Sequence, residues 1–573
     1  MIMDRKMMNS AIAFILASMC FWNCQNEKPE EGGGSTTSDA DLYIECPGKV
    51  NVRTDPETGG SQVIKFIIRK SGLGAAEARI DVMTTSELRQ KIGPEAASYT
   101  VIPDNAYNIS VGKVEFSDTE SEKSVTVTVD RSALAGQIDY APGKFTCLPI
   151  AVTSQDASVT SDMDYVVFVF RPDDGYHFST WNYEGISSST DIDQAVKDWK
   201  EAGLTIPMTF DLKSTGDLSI MTGLLDKCEA AGMKVIINDT RKVWWDMDIQ
   251  TAEGAQRYRE KMQAMKNDFG SHPAVWGYFI ADEPDATRWE EARAGVKIAE
   301  EVMPETNVMV NMHPFWEGSF VHGDITVEEY ADKITDFVES TGIGHISVDS
   351  YSGIRNDPYA EENGTTQVRE LFRNYWLVSE VCSRTGAEPF FSLLCAGEGE
   401  KPIPDRYDFR WQINTAVAHG MTGIQWYTFY SGGETQSESP FCAPVVTGTS
   451  PWHRTETFDA MAAECKAFTA AFADRLEDCS YRSTTTYGRS WYEKYGTFGS
   501  TSNLRLDSSD QDKSMLVTEW ADNDGAKVYT IVNIWRDRNQ NVSINYKGRQ
   551  YDIDLLPAEM VFVDKKGVHR ASY

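Results

Sequence analysis

One pattern recurs five times between about residues 173 and 478. A helix-like segment ends in a small residue and a glycine, and an apolar strand-like segment follows at once, as in DQAVKDWKEAGLTIPMTF. Glycine is the preferred left-handed cap after a helix, and strands that are apolar throughout are typical of parallel strands covered on both faces. The repeat therefore predicts alternating helices and parallel strands. The expected cap glycines are Gly203, Gly232, Gly342, Gly386 and Gly420.

Three more segments have strand character: FSTWNYEG, VWGYFIADEP and TNVMVNMHP. They bring the total to eight strands, seven of them preceded by a helix-like segment. This count predicts a (β/α)8 TIM barrel over residues 173–478. A doubly wound open sheet is the rival arrangement, but it should carry an early glycine-rich phosphate turn, and the sequence has none.

The segments on both sides of this region have β character. In residues 41–172, stretches such as SQVIKFIIRKSG and KSVTVTVD are rich in β-branched and aromatic residues and are separated by turn residues. Residues 479–573 return to the same character in SMLVTEWAD and AKVYTIVNIW. The predicted fold class is a multidomain chain whose central barrel is flanked by N-terminal and C-terminal all-β sandwiches.

The N-terminus has the features of an export signal. Arg5 and Lys6 precede an apolar stretch that ends at Trp22 and is too short to remain as a membrane-spanning helix. Cys24 follows and opens a polar, acidic, Gly/Ser-rich segment, a pattern that resembles bacterial lipoproteins, although Asn23 stands where a small residue is usual. The resemblance implies a signal peptide over 1–24, lipidation of Cys24 and a flexible tether over 25–40. An ordinary cleaved signal peptide is the alternative, and it also implies export.

A second resemblance concerns the first β region. Its stretch from SYTVIPDNAYNISV to KFTCLPIAV resembles the N-terminal sandwich module of glycan-utilisation lipoproteins on the outer surface of Gram-negative bacteria. This implies a lipid-anchored protein of the outer membrane, facing outward, with a role in polysaccharide utilisation.

Charge and cysteine content exclude several classes of protein. The formal net charge is −32, which argues against nucleic acid and anionic membrane surfaces, because phosphate binding needs basic patches. The only membrane contact expected is the lipid anchor. The ten cysteines show no C-x-x-C pair and no zinc spacing. We therefore expect buried free cysteines and no metal. We also expect no cofactor and a monomeric protein.

Polar and aromatic residues collect at the predicted strand ends, where the active site of a barrel lies. Aromatic faces cover the C–H side of a sugar, while carboxylates and amides bind its hydroxyls. The pattern predicts a carbohydrate site. The expected substrate-binding residues are Trp181, Asn182, Asp239, Trp244, Asn311, His313, Tyr351, Trp426 and Tyr427.

The fourth strand ends in two adjacent acids, Asp282 and Glu283, followed by Pro284. Neighbouring strand residues face opposite sides, so both acids reach the cleft only if the strand ends there, and Pro284 favours that ending. The alternative is that both acids cap the next helix. A glutamate among strand-end aromatics is well placed for a raised pKa and can protonate a glycosidic oxygen. Asp349 is a candidate second carboxylate or hydroxyl ligand, or a cap of the next segment.

Two motifs, HPAVWGYFIADEPD and HGMTGIQWYTFY, resemble (β/α)8 glycoside hydrolases related to clan A, including β-galactosidase-like and cellulase-like members. The resemblance implies that Glu283 is the general acid/base, with Asp282 where asparagine is usual. In these enzymes the nucleophile is a glutamate at the end of strand 7. Here PFFSLLCAGEGE has no carboxylate in register, and Glu398 is the nearest candidate.

The expected function is an exported glycoside hydrolase that cleaves a glycosidic bond in a complex glycan. One alternative is a substrate-assisted N-acetylhexosaminidase, in which Asp282 orients the acetamide of the sugar and Glu283 is the acid/base. A second is a non-catalytic glycan-binding surface lipoprotein. These alternatives remain open from the sequence.

Overall fold

The computed structural model describes residues 39–54, 59–134, 144–172, 175–318, 321, 323–352, 367–397, 401–431, 441–442, 453–510 and 513–573. The expected signal peptide, Cys24, nearly all of the tether and Glu398 lie outside the described residues. Within these ranges no helix has both the length and the apolar character needed to cross a membrane.

The first part of the described chain forms two β-sheets that share one apolar core. One sheet has the strand order β10-β1-β3-β8-β6, and the other has the order β2-β11-β9-β4-β7 with β5 paired to β9. Alternate residues of the long strands point inward, so Phe66 and Val125 of the first sheet meet Leu148 and Phe168 of the second. The strands are β1 Asp41–Ile44, β2 Gly48–Thr54, β3 Ser61–Ser71, β4 Ala76–Val82, β5 Tyr99–Val101, β6 Tyr107–Ile109, β7 Lys113–Phe116, β8 Glu122–Asp130, β9 Phe145–Thr153, β10 Ser158–Val159 and β11 Tyr165–Pro172.

Two helices, α1 Thr85–Ile92 and α2 Arg131–Leu134, interrupt these strands, although the sequence showed almost no helical pattern there. The first begins with a capping box. The Thr84 side chain accepts a hydrogen bond from the Glu87 backbone N–H at 3.3 Å, and the Glu87 carboxylate accepts one from the Thr84 N–H at 2.8 Å. Leu88 anchors the helix in a small cluster with Tyr99 and Phe145.

The central region contains seven parallel strands in the order β12-β18-β17-β16-β15-β14-β13, with helices between them in the chain. Its strands are β12 His177–Thr180, β13 Val235–Ile237, β14 Val275–Asp282, β15 Asn307–Met312, β16 His345–Asp349, β17 Glu388–Leu394 and β18 Gly423–Tyr427. Its helices are α3 Ile192–Ala202, α4 Leu218–Ala230, α5 Ala252–Phe269, α6 Trp289–Val302, α7 Val327–Thr341, α8 Gln367–Thr385, α9 Arg406–Ala418, α10 Glu456–Phe468 and α11 Asp474–Glu477. A small sheet joins β19 Tyr430–Ser431, β20 Phe441–Cys442 and β21 His453–Arg454.

The predicted second strand is irregular. Thr205 donates its backbone N–H to Phe178 of β12, and Thr209 donates to Ile236 of β13, each at 2.9 Å. The segment thus touches both edge strands of the sheet, but it forms only isolated bridges. Pro207 has no N–H to contribute to a regular ladder. The described chain therefore contains a curled seven-stranded sheet rather than the predicted ring of eight regular strands.

The expected glycine caps are confirmed. All five glycines have positive φ, between 69° and 91°, a conformation that costs glycine little and other residues more. The sequence pattern thus located the ends of these helices correctly.

The last part of the chain forms a five-stranded sheet, β22-β24-β25-β28-β29, and a three-stranded sheet, β23-β26-β27. Val517 and Ile531 of the larger sheet share a core with Val542 and Ile544 of the smaller one. The opposite face of the larger sheet packs against the central region through residues such as Leu516. The strands are β22 Cys479–Gly488, β23 Leu504–Asp507, β24 Ser514–Asp522, β25 Lys527–Asn533, β26 Gln540–Tyr546, β27 Arg549–Leu555, β28 Met560–Asp564 and β29 Gly567–Arg570.

Candidate active site

A cleft of about 710 Å³ opens at the carboxyl ends of the central strands. Residues from the ends of β12, β14, β15, β16 and β18 converge there, because parallel strands present their carboxyl ends at one edge of a sheet. The cleft is lined by Trp181, Tyr183, Asp282, Glu283, Asn311, His313, Pro314, Trp316, Asp349, Ser350, Tyr351, Ser352, Lys401 and Tyr427.

The adjacent acids both line the cleft because β14 ends between them. β14 finishes at Asp282, and Glu283 has a positive φ of 40°, which is uncommon for a residue with a side chain. The Glu283 backbone N–H donates to the Asn311 carbonyl at 2.8 Å and fixes this turn to the neighbouring strand. The strand also has a register irregularity between Phe279 and Ala281. The pleat is therefore broken twice, and the two carboxyl groups share one side.

Three carboxyl groups meet at the floor of the cleft. The Asn311 side-chain amide donates to Asp282 Oδ1 at 3.2 Å and to Asp349 Oδ1 at 3.1 Å. Tyr183 donates its hydroxyl to the other oxygen of Asp282 at 3.1 Å. The carboxyl groups of Asp349 and Glu283 lie close enough to interact, and this contact raises the pKa of Asp349. A hydrogen bond between two carboxyl groups needs one proton, so the contact favours a proton held by the pair.

The electrostatics of the cluster favour a retained proton. Burial raises the pKa of Asp349 well above its ordinary value, and the charges of Glu283 and Asp282 raise it further. Protein atoms closely surround the carboxyl group of Asp282, although part of the residue is open to the cleft. This desolvation raises the pKa of Asp282, and the charge of Glu283 raises it further. Asp349 is only 7% exposed, whereas 38% of the Glu283 side chain is exposed. Of these two acids, Glu283 is thus the one open to a ligand.

His313 lies beside Glu283, with 3.6 Å between its Nδ1 atom and Glu283 Oε1. Burial lowers the pKa of His313, against the opposing influence of Asp282 and Asp285. A neutral imidazole at this position can accept or donate a hydrogen bond without adding charge to the acid cluster.

Aromatic rings form the walls of the cleft. Tyr351 and Tyr427 are stacked at 5.5 Å, and Tyr183 meets Tyr427 edge-on at 6.3 Å. Trp316 is 39% exposed and lies edge-on to His313. The Lys401 ammonium group is 5.6 Å from the Tyr351 ring. The cleft thus combines flat apolar faces with hydroxyl-binding groups, as carbohydrate recognition requires.

A buried polar network supports the floor from below. Trp181 donates its indole N–H to the Ser392 hydroxyl at 3.0 Å, and Ser392 lies within hydrogen-bond distance of Asn311, Ser347 and Gln425, at 3.2 to 3.5 Å. Such networks fix side-chain orientation when their members are satisfied. Asn311, which bridges the two aspartates, is therefore held from both sides.

Four residues expected to bind substrate do not line the cleft. Asn182 is buried and accepts a hydrogen bond from the Glu184 N–H. Asp239 caps a short 3₁₀ helix and pairs with Arg241. Trp244 and Trp426 are buried in the core formed between the central sheet and the helices that cover it. Asn182 and Trp426 neighbour Trp181 and Tyr427, which do face the cleft, and the strand pleat turns each neighbour the other way.

The cleft also contains residues outside the expected set: Tyr183, Trp316 and Lys401. Tyr183 follows Trp181 by two residues, so strand alternation could have located it. At the end of β17, Cys395 and Ala396 are buried and neither offers a carboxylate. The position of Glu398 is outside the described residues.

One group of possible metal ligands lies elsewhere among the described residues. Asp226, Glu229 and His272 have ligand atoms within 4.8 Å of one another. His272 precedes β14, at the end of the strand opposite the cleft. This group is therefore no part of the carboxyl cluster.

Parts of the fold match solved structures. A β-glucuronidase from Bifidobacterium dentium matches with a TM-score of 0.36 and 12% identity, over 75% of this chain and 67% of the other. A β-galactosidase from Marinomonas ef1 matches with a TM-score of 0.37 and 11% identity, over 52% and 61% of the two chains. A putative carbohydrate-binding protein from Bacteroides ovatus matches with a TM-score of 0.20 and 16% identity. That match covers 24% of this chain and spans 38% of the other.

No model of a known protein family matches the sequence, and no curated protein sequence matches it. The TM-scores above are low.

Proposed function

We propose that this protein is a glycoside hydrolase whose general acid is Glu283. The observation that carries the proposal is the close pair of acids, Glu283 and Asp349, at the floor of an aromatic cleft, in which the pKa of Asp349 is raised. A carboxylic acid that keeps its proton near neutral pH can protonate the oxygen of a departing sugar or alcohol. The rings of Tyr351 and Tyr427 provide faces for a pyranose above it.

The other carboxyl groups have distinct roles in this proposal. Asp349 and Glu283 share one proton while the cleft is empty. When Glu283 delivers that proton to the leaving oxygen, Asp349 is left ionised and stabilises positive charge at the anomeric carbon. The nearest oxygens of Asp282 and Asp349 contact one amide nitrogen at 3.2 and 3.1 Å. The shared amide therefore holds both carboxyl groups together beside Glu283.

A substrate-assisted N-acetylhexosaminidase is the second candidate. It is favoured by the way Tyr183 and Asn311 hold the two oxygens of Asp282 beside Glu283. A carboxylate fixed in this manner can orient the acetamide of a substrate, whose own oxygen then attacks the anomeric carbon. The described end of β17 offers no carboxylate nucleophile, and this mechanism needs none.

We also propose that the central region is a (β/α)8 barrel with residues 205–212 as the eighth, irregular strand. The support is the pair of backbone hydrogen bonds from Thr205 and Thr209 to the two edge strands. The carboxyl cluster would then lie at the mouth of a closed barrel, where catalytic residues of this fold are found.

The cellular location remains a proposal from the sequence: export, lipidation at Cys24 and display on the outer membrane as a monomer. The three-part division at about residues 172 and 478 is likewise proposed. Cys20, the other cysteine of the signal segment, provides the comparison. Labelling of cells with a radioactive fatty acid, for the natural chain and for Cys24→Ser and Cys20→Ser, tests the anchor. Loss of label only in Cys24→Ser is expected, and label retained in that variant contradicts the assignment.

The direct test of the function is a screen of the purified protein on aryl glycosides, including N-acetylhexosaminides, and on complex glycans. Glu283→Gln should abolish most of the activity. Glu253→Gln is the matched control, because Glu253 has an exposed side chain on α5, away from the cleft. Glycan binding without turnover by the natural chain would replace the hydrolase with a non-catalytic binding protein. Cleavage confined to N-acetylated sugars would select the substrate-assisted mechanism.

A further inference from the structure

We infer that a second cavity, between the first sandwich, the amino ends of the central strands and the last sandwich, binds a phosphate or sulfate group. The cavity has a volume of about 360 Å³. Its lining includes Pro389 and Thr422, which lie at the start of β17 and just before β18, so it is at the end of the sheet opposite the acid cleft. The inference is independent of the proposed hydrolase activity.

The charge of this cavity is opposite to that of the protein. The chain has a formal net charge of −32, yet four cationic side chains line the cavity: Lys49, Arg53, Arg171 and Arg482. Glu388 is the one carboxylate among the lining residues. Clustered cations surrounded by protein attract anions more strongly than the same charges in open solvent.

Arg171 is the most deeply buried cation of this cavity and the main support for an anion site. Its side chain is on β11 and is only 7% exposed, and among the described residues its guanidinium forms neither an ion pair nor a hydrogen bond. The group packs against Gly386, where an added Cβ would come within 2.5 Å of its Nη1 atom, and it lies 5.8 Å from the Phe145 ring. Arginine stays protonated in proteins, and an unpaired buried charge is strongly unfavourable. A bound anion would remove that cost.

The neighbouring groups lack full compensation as well. The Tyr99 hydroxyl is buried without a hydrogen-bond partner in the described part of the chain. Arg482 donates to the backbone carbonyls of Lys49 and Pro47, which carry no full negative charge. Arg53 contacts Glu388 at 3.7 Å, and Lys49 contacts Glu95 at 3.3 Å. Two of the four cations thus form an ion pair with a carboxylate, while Arg171 and Arg482 form none among the described residues. Glu388 acts on Arg171 only as a charge beyond ion-pair distance.

This donor set fits a tetrahedral oxyanion. A planar guanidinium matches two oxygens of a phosphate or sulfate group, and the Tyr99 hydroxyl can donate to a third. The cavity is larger than a bare ion, so the group can arrive as a free ion or as the ester of a small sugar. The shared chemistry is the oxyanion, and the two sources are separated by experiment.

The test is calorimetric titration of the full chain with sodium phosphate, sodium sulfate, glucose 6-phosphate and glucose 6-sulfate, with sodium chloride at equal ionic strength as the baseline. One-site binding of at least one oxyanion is expected. In Arg171→Met the affinity should fall at least about tenfold, because a hydrogen bond to a charged group is lost. Binding of the inorganic ions assigns a free-anion site, and binding of the esters alone assigns a sugar-borne group.

Two further variants keep the test decisive. Tyr99→Phe removes one hydroxyl from a packed ring and should weaken binding while the protein remains folded, as circular dichroism would show. Arg489→Met, at an exposed position outside the cavity lining, is the control and should bind as the natural chain does. Arg171→Met should also unfold at a higher temperature than the natural chain when no oxyanion is present. Equal affinity in the Arg171 and Tyr99 variants and the natural chain, or no binding above the chloride baseline, would overturn the inference.

Discussion

The carboxyl group of Glu283 lies beside that of Asp349 and raises its pKa, although the two residues come from the ends of different strands. The contact favours one proton held between two acids at the floor of a cleft. Asp282 adds a third carboxyl group through the shared amide of Asn311. Such a crowded acid cluster is unfavourable for folding and useful for proton donation.

The first prediction concerns stability and pH. The pKa of Asp349 is raised in the folded chain, so the folded state binds its proton more tightly than the unfolded state. The free energy of unfolding should therefore fall as the pH rises from about 4 through the raised pKa. Asp349→Asn should remove much of this slope and stabilise the protein at neutral pH, by about 1.4 kcal/mol for each unit by which the pKa is raised.

Urea denaturation across this pH range measures the effect. Asp336→Asn, at an exposed position on α7, is the control and should retain the natural slope. A slope unchanged in Asp349→Asn would mean that Asp349 is ionised in the folded chain.

The second prediction concerns the hydroxyl of Tyr183, which donates to Asp282. Tyr183→Phe keeps the ring beside Trp181 and Tyr427 but removes this bond. The charged form of Asp282 loses a donor, so its pKa should rise, and kcat/KM should fall about tenfold at neutral pH. The pH profile of kcat/KM separates this from a packing defect, because Asp282 should then ionise at higher pH. A uniform loss at every pH would argue against the electrostatic role.

The third prediction concerns the exposed aromatic wall. Trp316→Ala should weaken glycan binding by about 0.5–1.5 kcal/mol, or roughly 2-fold to 12-fold, because a stacking face is lost. Trp245→Ala is a matched control, since Trp245 is 55% exposed and does not line the cleft. Calorimetric titration with a glycan that the protein binds measures both. Equal affinities in the two variants would remove Trp316 from the binding surface.

The fourth prediction separates core residues from ligands. Trp244 is 5% exposed and packs against Gly295 and Tyr258. Trp244→Ala should lower the free energy of unfolding by about 3–5 kcal/mol while KM stays unchanged at a temperature where the variant is folded. A specific rise in KM would restore the sequence-based expectation that Trp244 contacts substrate.

Much of the central fold was predictable because its signals are local. A glycine such as Gly203 after an amphipathic segment marks a helix end from neighbouring residues alone. The helix α1 was missed, although the Thr84-x-x-Glu87 pattern that begins it was visible in the sequence. The second strand was predicted, but the structure shows only isolated bridges in it, because Pro207 limits its ladder.

The site was predictable as a region but only partly by residue. Strand ends collect at one edge of the sheet, so an acid and aromatic cleft was expected there, and the side-chain alternation that separates Trp181 from Asn182 could have been applied throughout. Side-chain alternation alone could not have predicted that Asp282 and Glu283 both face the cleft. That arrangement depends on the positive φ of Glu283, which sequence preferences disfavour.

The central claim is that Glu283 donates the proton to the leaving group. The most direct measurement is kcat/KM of the natural chain and Glu283→Gln on two aryl glycosides of one sugar, with phenyl and 2,4-dinitrophenyl leaving groups. Loss of the acid should lower kcat/KM about 10²-fold to 10⁴-fold for the phenyl glycoside, and far less for the dinitrophenyl glycoside, whose leaving group departs without a proton. An equal loss on both substrates, or near-normal cleavage of the phenyl glycoside, would contradict the account.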